Sequence, residues 1–279
     1  MPPRILRDYL QGARGRVLWL EFDAYAHRVF ANSASDWLTQ ATRYANTVIQ
    51  ARKAIKTEVL TIDIAAAGLA AANSLDDPLT RGKNVLTDPA ALRYTTECID
   101  AVLHKLGDEV DLVLRVPTPR DLLLACGADG SPDFDALDDI STAITTALRG
   151  FSDKTIAGLL LTRTANEPLS ADEIDAYAPL SNAAHHYGWV TCMAVSPALL
   201  ENPAAAIDGI DLRLCGELSL ARVRELRGAG RGIGGGLPAA VWAAVGALPA
   251  PEVGDLLFGT IPPEANPETV LANCAALAG

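Results

Sequence analysis

The sequence has few aromatic residues, a deficit of basic residues and no long apolar run. Aromatic residues make up only 5% of the 279 residues although 49% are hydrophobic, so we expect a core packed mainly by aliphatic side chains. Against 34 acidic residues stand 23 basic ones, which gives a formal net charge of -11. Because the phosphate backbone of nucleic acids selects basic surfaces, this balance disfavours a nucleic-acid partner.

The five cysteines form no paired CxxC spacing, and each lies in an otherwise apolar stretch. That usage is typical of reduced, buried thiols, and no HExxH or paired-cysteine motif predicts a metal site. No apolar run reaches the roughly 18 residues of a membrane-spanning helix, and the first residues show no long apolar signal segment. We therefore expect a cytoplasmic protein that binds no membrane and no metal.

Short aliphatic and β-branched runs alternate along the chain with longer segments of helical periodicity. Near-continuous apolar strands are typical of a parallel sheet that is covered on both faces. Eight such strand-then-helix units predict an α/β fold, a single (β/α)8 TIM barrel over residues 1–279 with a short N-terminal helix at 3–12. An open doubly wound sheet is the alternative, but no GxGxxG follows the first strand. The predicted strands are 16–22, 58–64, 111–116, 157–162, 189–195, 210–215, 231–234 and 255–259.

Capping residues mark several helix starts. Asp88, Ser170 and Asn266 are each placed to accept free N–H groups of a first helical turn. A long helix is expected over about 36–56, where apolar residues recur at helical spacing. Residues 65–87 combine small, polar and turn-forming residues and predict a long loop or lid.

The active site of such a barrel lies at the carboxyl ends of its strands, so polar residues there are the site candidates. Asp63 ends the second strand and is the candidate for catalytic proton transfer. Arg115 and Arg163, on strands three and four, would make an anion clamp if both guanidinium groups faced one ligand. An ion-pair lattice across the barrel mouth is the alternative. The other substrate-binding candidates are Asp23, Glu167, Cys192, Glu217, Gly235 and Thr260.

Gly234, Gly235 and Gly236 follow the predicted seventh strand, where many barrels hold a phosphate on backbone N–H groups. The alternative is that the three glycines only permit a tight turn. Cys192 and Cys215 lie at the ends of adjacent predicted strands, so they are the pair of cysteines to consider for a site. The alternative is that both are buried as small apolar residues.

Four stretches resemble motifs of one barrel superfamily. The ending 259–270 resembles the Gly-Ile-x-Pro close of uroporphyrinogen decarboxylases, and 119–125 resembles their Gly-Pro-x-Thr-Leu-Ala turn. Ile62-Asp63-Ile64 is similar to their Ser-Asp-Ile-Leu, whose aspartate is catalytic, and 166–168 is similar to the Asp-Glu-Pro of methionine synthases. The chain thus resembles the superfamily of uroporphyrinogen decarboxylase, cobalamin-independent methionine synthase and the zinc-dependent corrinoid methyltransferases.

The sequence lacks two of the motifs of these families, and each missing motif argues against one of their activities. The decarboxylases bind their substrate's carboxylates with Arg-Gln-Ala-Gly-Arg-Tyr, whereas residues 22–27 of this chain contain no arginine. The methyltransferases hold zinc with His-x-Cys at strand five and a cysteine at strand eight, whereas this chain has Thr191-Cys192 and Gly259-Thr260 there. Neither uroporphyrinogen turnover nor metal-activated thiol methylation is therefore expected.

Three functions follow as hypotheses. The first is a cofactor-independent, decarboxylase-like lyase acting on a small anionic substrate, with Asp63 managing protons and Arg115 and Arg163 gripping a carboxylate. The second is a methyltransferase of the methionine synthase-like branch, with Cys192 as its thiolate. The third is a non-catalytic barrel that binds an anion or a partner protein. The sequence leaves the oligomeric state open, a homodimer included.

Overall fold

All eight strands of the protein close into one parallel barrel, as the sequence predicts. The computed structural model describes residues 4–73, 76–107, 109–202, 207–246, 248 and 250–278. Each strand pairs in parallel with the next, and the eighth strand returns to pair with the first. The strands are β1 Val17–Glu21, β2 Val59–Asp63, β3 Asp111–Pro117, β4 Gly158–Thr162, β5 Val190–Ala194, β6 Leu212–Cys215, β7 Ile233–Gly236 and β8 Leu256–Thr260.

Helices follow the strands and form the outer layer. Asp88, Ser170 and Asn266 cap their helices as predicted, each side chain accepting a backbone N–H of the first turn. The helices are α1 Ile5–Leu10, α2 Asp23–Val29, α3 Ala41–Ile55, α4 Ala66–Ala71, α5 Pro78–Thr87, α6 Pro89–Leu106, α7 Pro119–Ala125, α8 Phe134–Arg149, α9 Ala171–His186, α10 Pro197–Glu201, α11 Leu220–Arg227 and α12 Pro267–Ala278, with a short 3-10 helix at Ala239–Trp242. Among the described residues, no helix is long and apolar enough to span a membrane.

Two predicted segments differ in the structure. The helix expected over 36–56 begins only at Ala41, and the preceding turns bring Trp37 against Tyr94, whose hydroxyl donates to the Trp37 carbonyl at 2.8 Å. The loop expected over 65–87 contains α4 and α5, because Asp77 caps α5 and Pro78 suits its first position. Residues 74–75 of that segment, and residue 3 of the predicted first helix, lie outside the described ranges.

Side chains alternate between the barrel interior and the helix layer along each strand. Val113 and Leu160 belong to the cluster that fills the interior, whereas Leu114 and Leu161 pack outward against the helices. Helix α1 closes the amino end of the barrel, where the Leu6 N–H donates to the Asp111 carboxylate at 2.8 Å. The interior cluster is apolar, and the inward-facing polar side chains of Glu21, Asp63 and Arg115 lie toward the carboxyl ends of their strands.

Candidate active site

Two adjoining cavities open at the carboxyl ends of the strands. The first, here called the side pocket, has a volume of about 350 Å³ and lies between β1, β2, β3 and helices α2, α3 and α6. The second, here called the central mouth, has a volume of about 750 Å³ and lies over β4 to β8. Glu21, Arg115 and Thr260 line both cavities and therefore join them into one site.

Three carboxylates surround a single guanidinium group at this junction. Arg115 donates through Nη1 to Glu21, through Nε to Asp63 Oδ2 at 3.2 Å, and through Nη2 to Asp23 Oδ2 at 3.4 Å. Side chains two residues apart on a strand face the same way. Glu21 and Arg115 each follow an inward-facing residue, Trp19 or Val113, by two positions, and Asp63 follows inward-facing Val59 by four. All three side chains therefore face the barrel interior. These four residues, Glu21, Asp23, Asp63 and Arg115, are here called the carboxylate cluster, which has three acidic groups and one basic group.

Glu21 and Asp63 are held firmly by neutral donors as well. Glu21 Oε1 accepts from Trp19 Nε1 at 2.9 Å and from the Thr61 hydroxyl. Asp63 Oδ1 accepts the backbone N–H groups of Ala65 and Ala66 at 2.9 and 3.0 Å, at the start of α4. These hydrogen bonds fix the positions of the two carboxyl groups.

Asp23 differs from its two neighbours because its hydrogen bonds are long. Its Oδ1 accepts from the Tyr44 hydroxyl at 3.5 Å, and its Oδ2 lies 3.4 Å from Arg115 Nη2. Burial, opposed by Arg115 and reinforced by the carboxylates of Glu21 and Asp63, raises the pKa of Asp23 to about 7. Asp23 is therefore the member of the cluster that takes up and releases a proton near neutral pH.

Arg163 does not join Arg115, contrary to the predicted clamp. Arg163 lies two residues after Leu161, whose side chain packs outward against the helices, so the Arg163 side chain also points outward. Its guanidinium group pairs with Glu173 of α9 at 3.2 Å and donates to the Ala165 carbonyl at 2.6 Å. Both side chains of the pair are almost fully buried, at 1% and 6% exposure. Both arginines form ion pairs, but only Arg115 pairs with carboxylates at the barrel mouth, whereas the partner of Arg163 lies on α9.

The other predicted site residues divide into two groups. Glu217 and Thr260 line the central mouth, as expected of binding residues. Glu167 has a 71% exposed side chain that lies 3.9 Å from Arg120, and it lines neither cavity. Its loop position turns it to the solvent.

Cys192 and Gly235 are buried away from both cavities. Cys192 faces the dry interior below the mouth, and burial raises the pKa of its thiol well above the ordinary value. Gly235 lies within β7, where a Cβ would stand 2.0 Å from the carbonyl oxygen of Cys215. The three glycines thus end a strand rather than follow it, and at Gly235 close strand packing requires glycine.

The aromatic wall of the side pocket was not identified as part of the site from sequence. Trp37, Tyr44 and Tyr94 line this pocket together with His27, and neighbouring rings lie 4.9 to 6.3 Å apart between centroids. The helical spacing of Trp37 and Tyr44 predicts burial, which is correct, but spacing does not show that the buried face borders a cavity. Cys98 lies in the same wall, and burial raises its pKa to about 12.

Comparison with known proteins adds the fold but no closer relationship. No protein family description and no curated protein matches the chain. Among solved structures, the chain is similar to the metallated form of the homocysteine methyltransferase MmuM from Escherichia coli, with 14% sequence identity and a TM-score of 0.53. The likeness covers 95% of this chain and 98% of that chain. It is a likeness of fold, and at that level it agrees with the barrel superfamily that the sequence motifs resemble.

Proposed function

We propose that the protein is an enzyme whose active site is the carboxylate cluster, with Asp23 as the group that donates and accepts protons. The observation that carries this proposal is the position of Asp23, which borders a cavity beside two further carboxylates and Arg115, where burial raises its pKa to about 7. A general acid or base works best when its pKa lies near the working pH. A buried carboxyl shifted in this way is also a frequent mark of a functional site.

Asp23 is better suited to this role than Asp63, the candidate from the sequence. Both oxygens of Asp63 already accept hydrogen bonds, two from backbone N–H groups and one from Arg115. Asp63 is therefore held in place by three donors, whereas Asp23 has two long contacts, with Tyr44 and Arg115. We assign Asp63 the role of orienting Arg115, and Arg115 the role of holding Glu21 and Asp63 beside Asp23.

These residues support proton transfer without a cofactor. Because that is the chemistry of the proposed lyase, we keep the lyase as the first candidate function. The grip on a substrate carboxylate is less well supported. Each nitrogen of the Arg115 guanidinium already contacts a carboxylate, and Arg163 is committed to Glu173. An incoming anion would have to displace Glu21, Asp23 or Asp63 from Arg115.

Methyl transfer is the second candidate, and the fold shared with a homocysteine methyltransferase favours it. Zinc bound through cysteine thiolates does not fit this chain. Within the described ranges, no group of three or more histidine, cysteine or acidic side chains is arranged to hold a metal ion. The five cysteines are all buried. In a methyltransferase built on this site, Asp23 would act as the base that removes a proton from the nucleophile.

The test is a comparison of variants on a mixture of metabolites. Purified wild-type protein, Asp23→Asn and a matched surface control, Asp139→Asn, are each incubated with a small-molecule extract and followed by mass spectrometry. Asp139 pairs with Lys83 on the outer helices and has a 49% exposed side chain. We expect one metabolite to be consumed by the wild type and the control, and about 100-fold more slowly by Asp23→Asn.

The mass change in that experiment identifies the reaction. Loss of carbon dioxide or of another small neutral group indicates a lyase, and gain or loss of one methyl group indicates a methyltransferase. Equal consumption by wild type and Asp23→Asn would contradict the proposal. Consumption by none of the three proteins would contradict it as well and would favour a non-catalytic binding barrel.

A further inference from the structure

We infer that the side pocket binds an organic cation, such as the ammonium group of a small amine or quaternary amine. This inference rests on the proposed function, because it names the substrate class of the same site. It is carried by two features of the pocket that are independent of each other, its charge and its aromatic wall.

The charged groups that line the side pocket favour a positive ligand. They are Glu21, Asp23, Asp63 and Arg115, three acidic groups against one basic group. Arg115 is already surrounded by the three carboxylates, so an anionic ligand would find repulsion without a free cation. A cationic ligand next to Asp23 would supply the charge that the cluster lacks.

The central mouth continues the same electrostatic pattern. Glu217 and Glu264 add two acidic groups to its lining. Arg163 lines the mouth too, but its guanidinium group is paired with Glu173. A cation that approaches the barrel from solvent therefore meets acidic side chains before it reaches the carboxylate cluster, which favours its entry.

The second feature is the concentration of aromatic rings in a chain that has few of them. Trp37, Tyr44 and Tyr94 line the pocket, and the whole chain has four tryptophans and six tyrosines. The ring centroid of Trp37 lies 4.9 Å from that of Tyr44 and 4.9 Å from that of His27. Aromatic groups arranged around a small cavity attract cations through the negative faces of their rings, and quaternary ammonium ligands use such walls.

Size and chemistry separate an organic cation from a metal ion. A volume of about 350 Å³ lies at the lower end of the range for small-molecule sites and is far larger than a bare ion requires. The position that a metal would take between the carboxylates is occupied by the guanidinium group of Arg115. Leu38 and Trp37 also line the pocket and offer apolar and ring surface to methyl or methylene groups.

Calorimetric titration with three probes of similar shape tests the inference. Choline is the cation, its carbon isostere lacking the charged nitrogen is the neutral probe, and tert-butylacetate is the anion. We expect choline to bind at least about tenfold more tightly than the neutral isostere, as one or two cation–π contacts and one ion pair would provide. We expect no measurable heat from tert-butylacetate.

Variants then locate the binding. Asp23→Asn and Trp37→Leu should each weaken choline binding about tenfold, whereas the matched control Asp139→Asn should leave it unchanged. Should Trp37→Leu fail to fold, the Asp23→Asn comparison still decides, because Asn fills the same volume. Similar affinities for choline and its isostere, tighter binding of the anion, or binding of Mg²⁺ without binding of choline would overturn the inference.

The inference and the proposed function can fail separately. Calorimetry measures binding without turnover, so a preference for the anion would overturn the cation and leave proton transfer by Asp23 standing. If Asp23→Asn consumed metabolites as fast as the wild type while choline bound as expected, the assigned chemistry would be wrong. The binding result would then stand on its own as the property of an acidic, aromatic-walled pocket.

Discussion

Arg115 and Arg163 lie at the carboxyl ends of neighbouring strands, yet they occupy different layers of the barrel. In the pairing of β3 with β4, Arg115 stands opposite Leu160, and Pro117 stands opposite Thr162. Arg163 comes one residue after Thr162, and one residue reverses the direction of a side chain. Arg115 therefore faces inward to the carboxylate cluster, whereas Arg163 faces α9.

The two surroundings differ in charge balance. Arg163 meets one carboxylate, Glu173, which also belongs to the capping box at the start of α9. That pair is neutral as a whole and has a structural role. Arg115 meets three carboxylates, and the excess charge contributes, after burial, to the raised pKa of Asp23. The comparison teaches that an arginine at a barrel mouth can belong to a balanced structural pair, and the unbalanced charges around Arg115 are what distinguish the proposed active site.

The largest loss of stability is expected from replacing Arg115, the arginine of the unbalanced cluster. Arg115→Ala should lower the free energy of unfolding by about 4–5 kcal/mol at pH of about 8, because it removes the one cation that three partly buried carboxylates share. Chemical denaturation measures the loss. The loss should shrink as the pH falls toward about 5, since Asp23 then takes a proton. A small, pH-independent loss would show that the cluster is solvated and unimportant.

Replacing Arg163 should lower the free energy of unfolding by a somewhat smaller amount, and a second substitution at its partner Glu173 should restore most of the loss. Arg163→Ala strands the buried carboxylate of Glu173 and should cost about 3 kcal/mol. The double variant with Glu173→Gln should recover most of that loss. The amide oxygen still accepts the Ser170 N–H, and the amide NH2 donates to the Tyr177 hydroxyl oxygen, without the charge. Thermal unfolding of both variants gives the comparison. Failure of the second substitution to restore stability would argue against a simple one-to-one pair.

A gain of stability is expected from Asp23→Asn. In the folded protein the pKa of Asp23 is about 7, above the ordinary value of 3.8, with Glu21, Asp63, Arg115 and Tyr44 as the charged or titratable groups around it. The folded state therefore keeps a proton that the unfolded chain releases, and stability falls as the pH rises from about 4 to about 7.

The asparagine variant removes that dependence, so it should be about 1–3 kcal/mol more stable than the wild type at pH of about 8 and nearly equal to it at about 4. Denaturation at the two pH values checks this, with Asp139→Asn as the control that should show no gain at either. Destabilisation at the higher pH would mean that Arg115 needs the charge of Asp23.

The fold could be predicted from the sequence because its signals are local and repeated. Apolar strands, capped helices such as the one that Asn266 begins, and their regular alternation together specify the barrel. The inward direction of Glu21, Asp63 and Arg115 could also be read from their shared spacing along the strands. Arg163 does lie at the mouth of β4, but it follows the inward-facing Thr162 by one residue. Its guanidinium group therefore turns to Glu173 of α9 and not toward Arg115.

The remainder of the site depends on contacts between distant segments. Tyr44 and Tyr94 belong to different helices, and only the packing of α3 against α6 brings them to one cavity with Asp23. The role of Gly235 depends on how closely β7 approaches Cys215, which no local pattern reveals. The unusual pKa of Asp23 arises from burial and from neighbours on other elements, so it could not be inferred from the residues beside it in the chain.

The most direct test of this account is the titration of the Asp23 carboxyl group itself. Carbon-13 NMR of protein labelled at the aspartate side chains, with the Asp23 signal assigned by its absence in Asp23→Asn, follows the carboxyl through the neutral range. The account predicts a midpoint at a pH of about 7, raised by burial and by the carboxylates of Glu21 and Asp63. A midpoint near the ordinary value of 3.8 would contradict it, because Asp23 would then be permanently ionised and could not supply the proton.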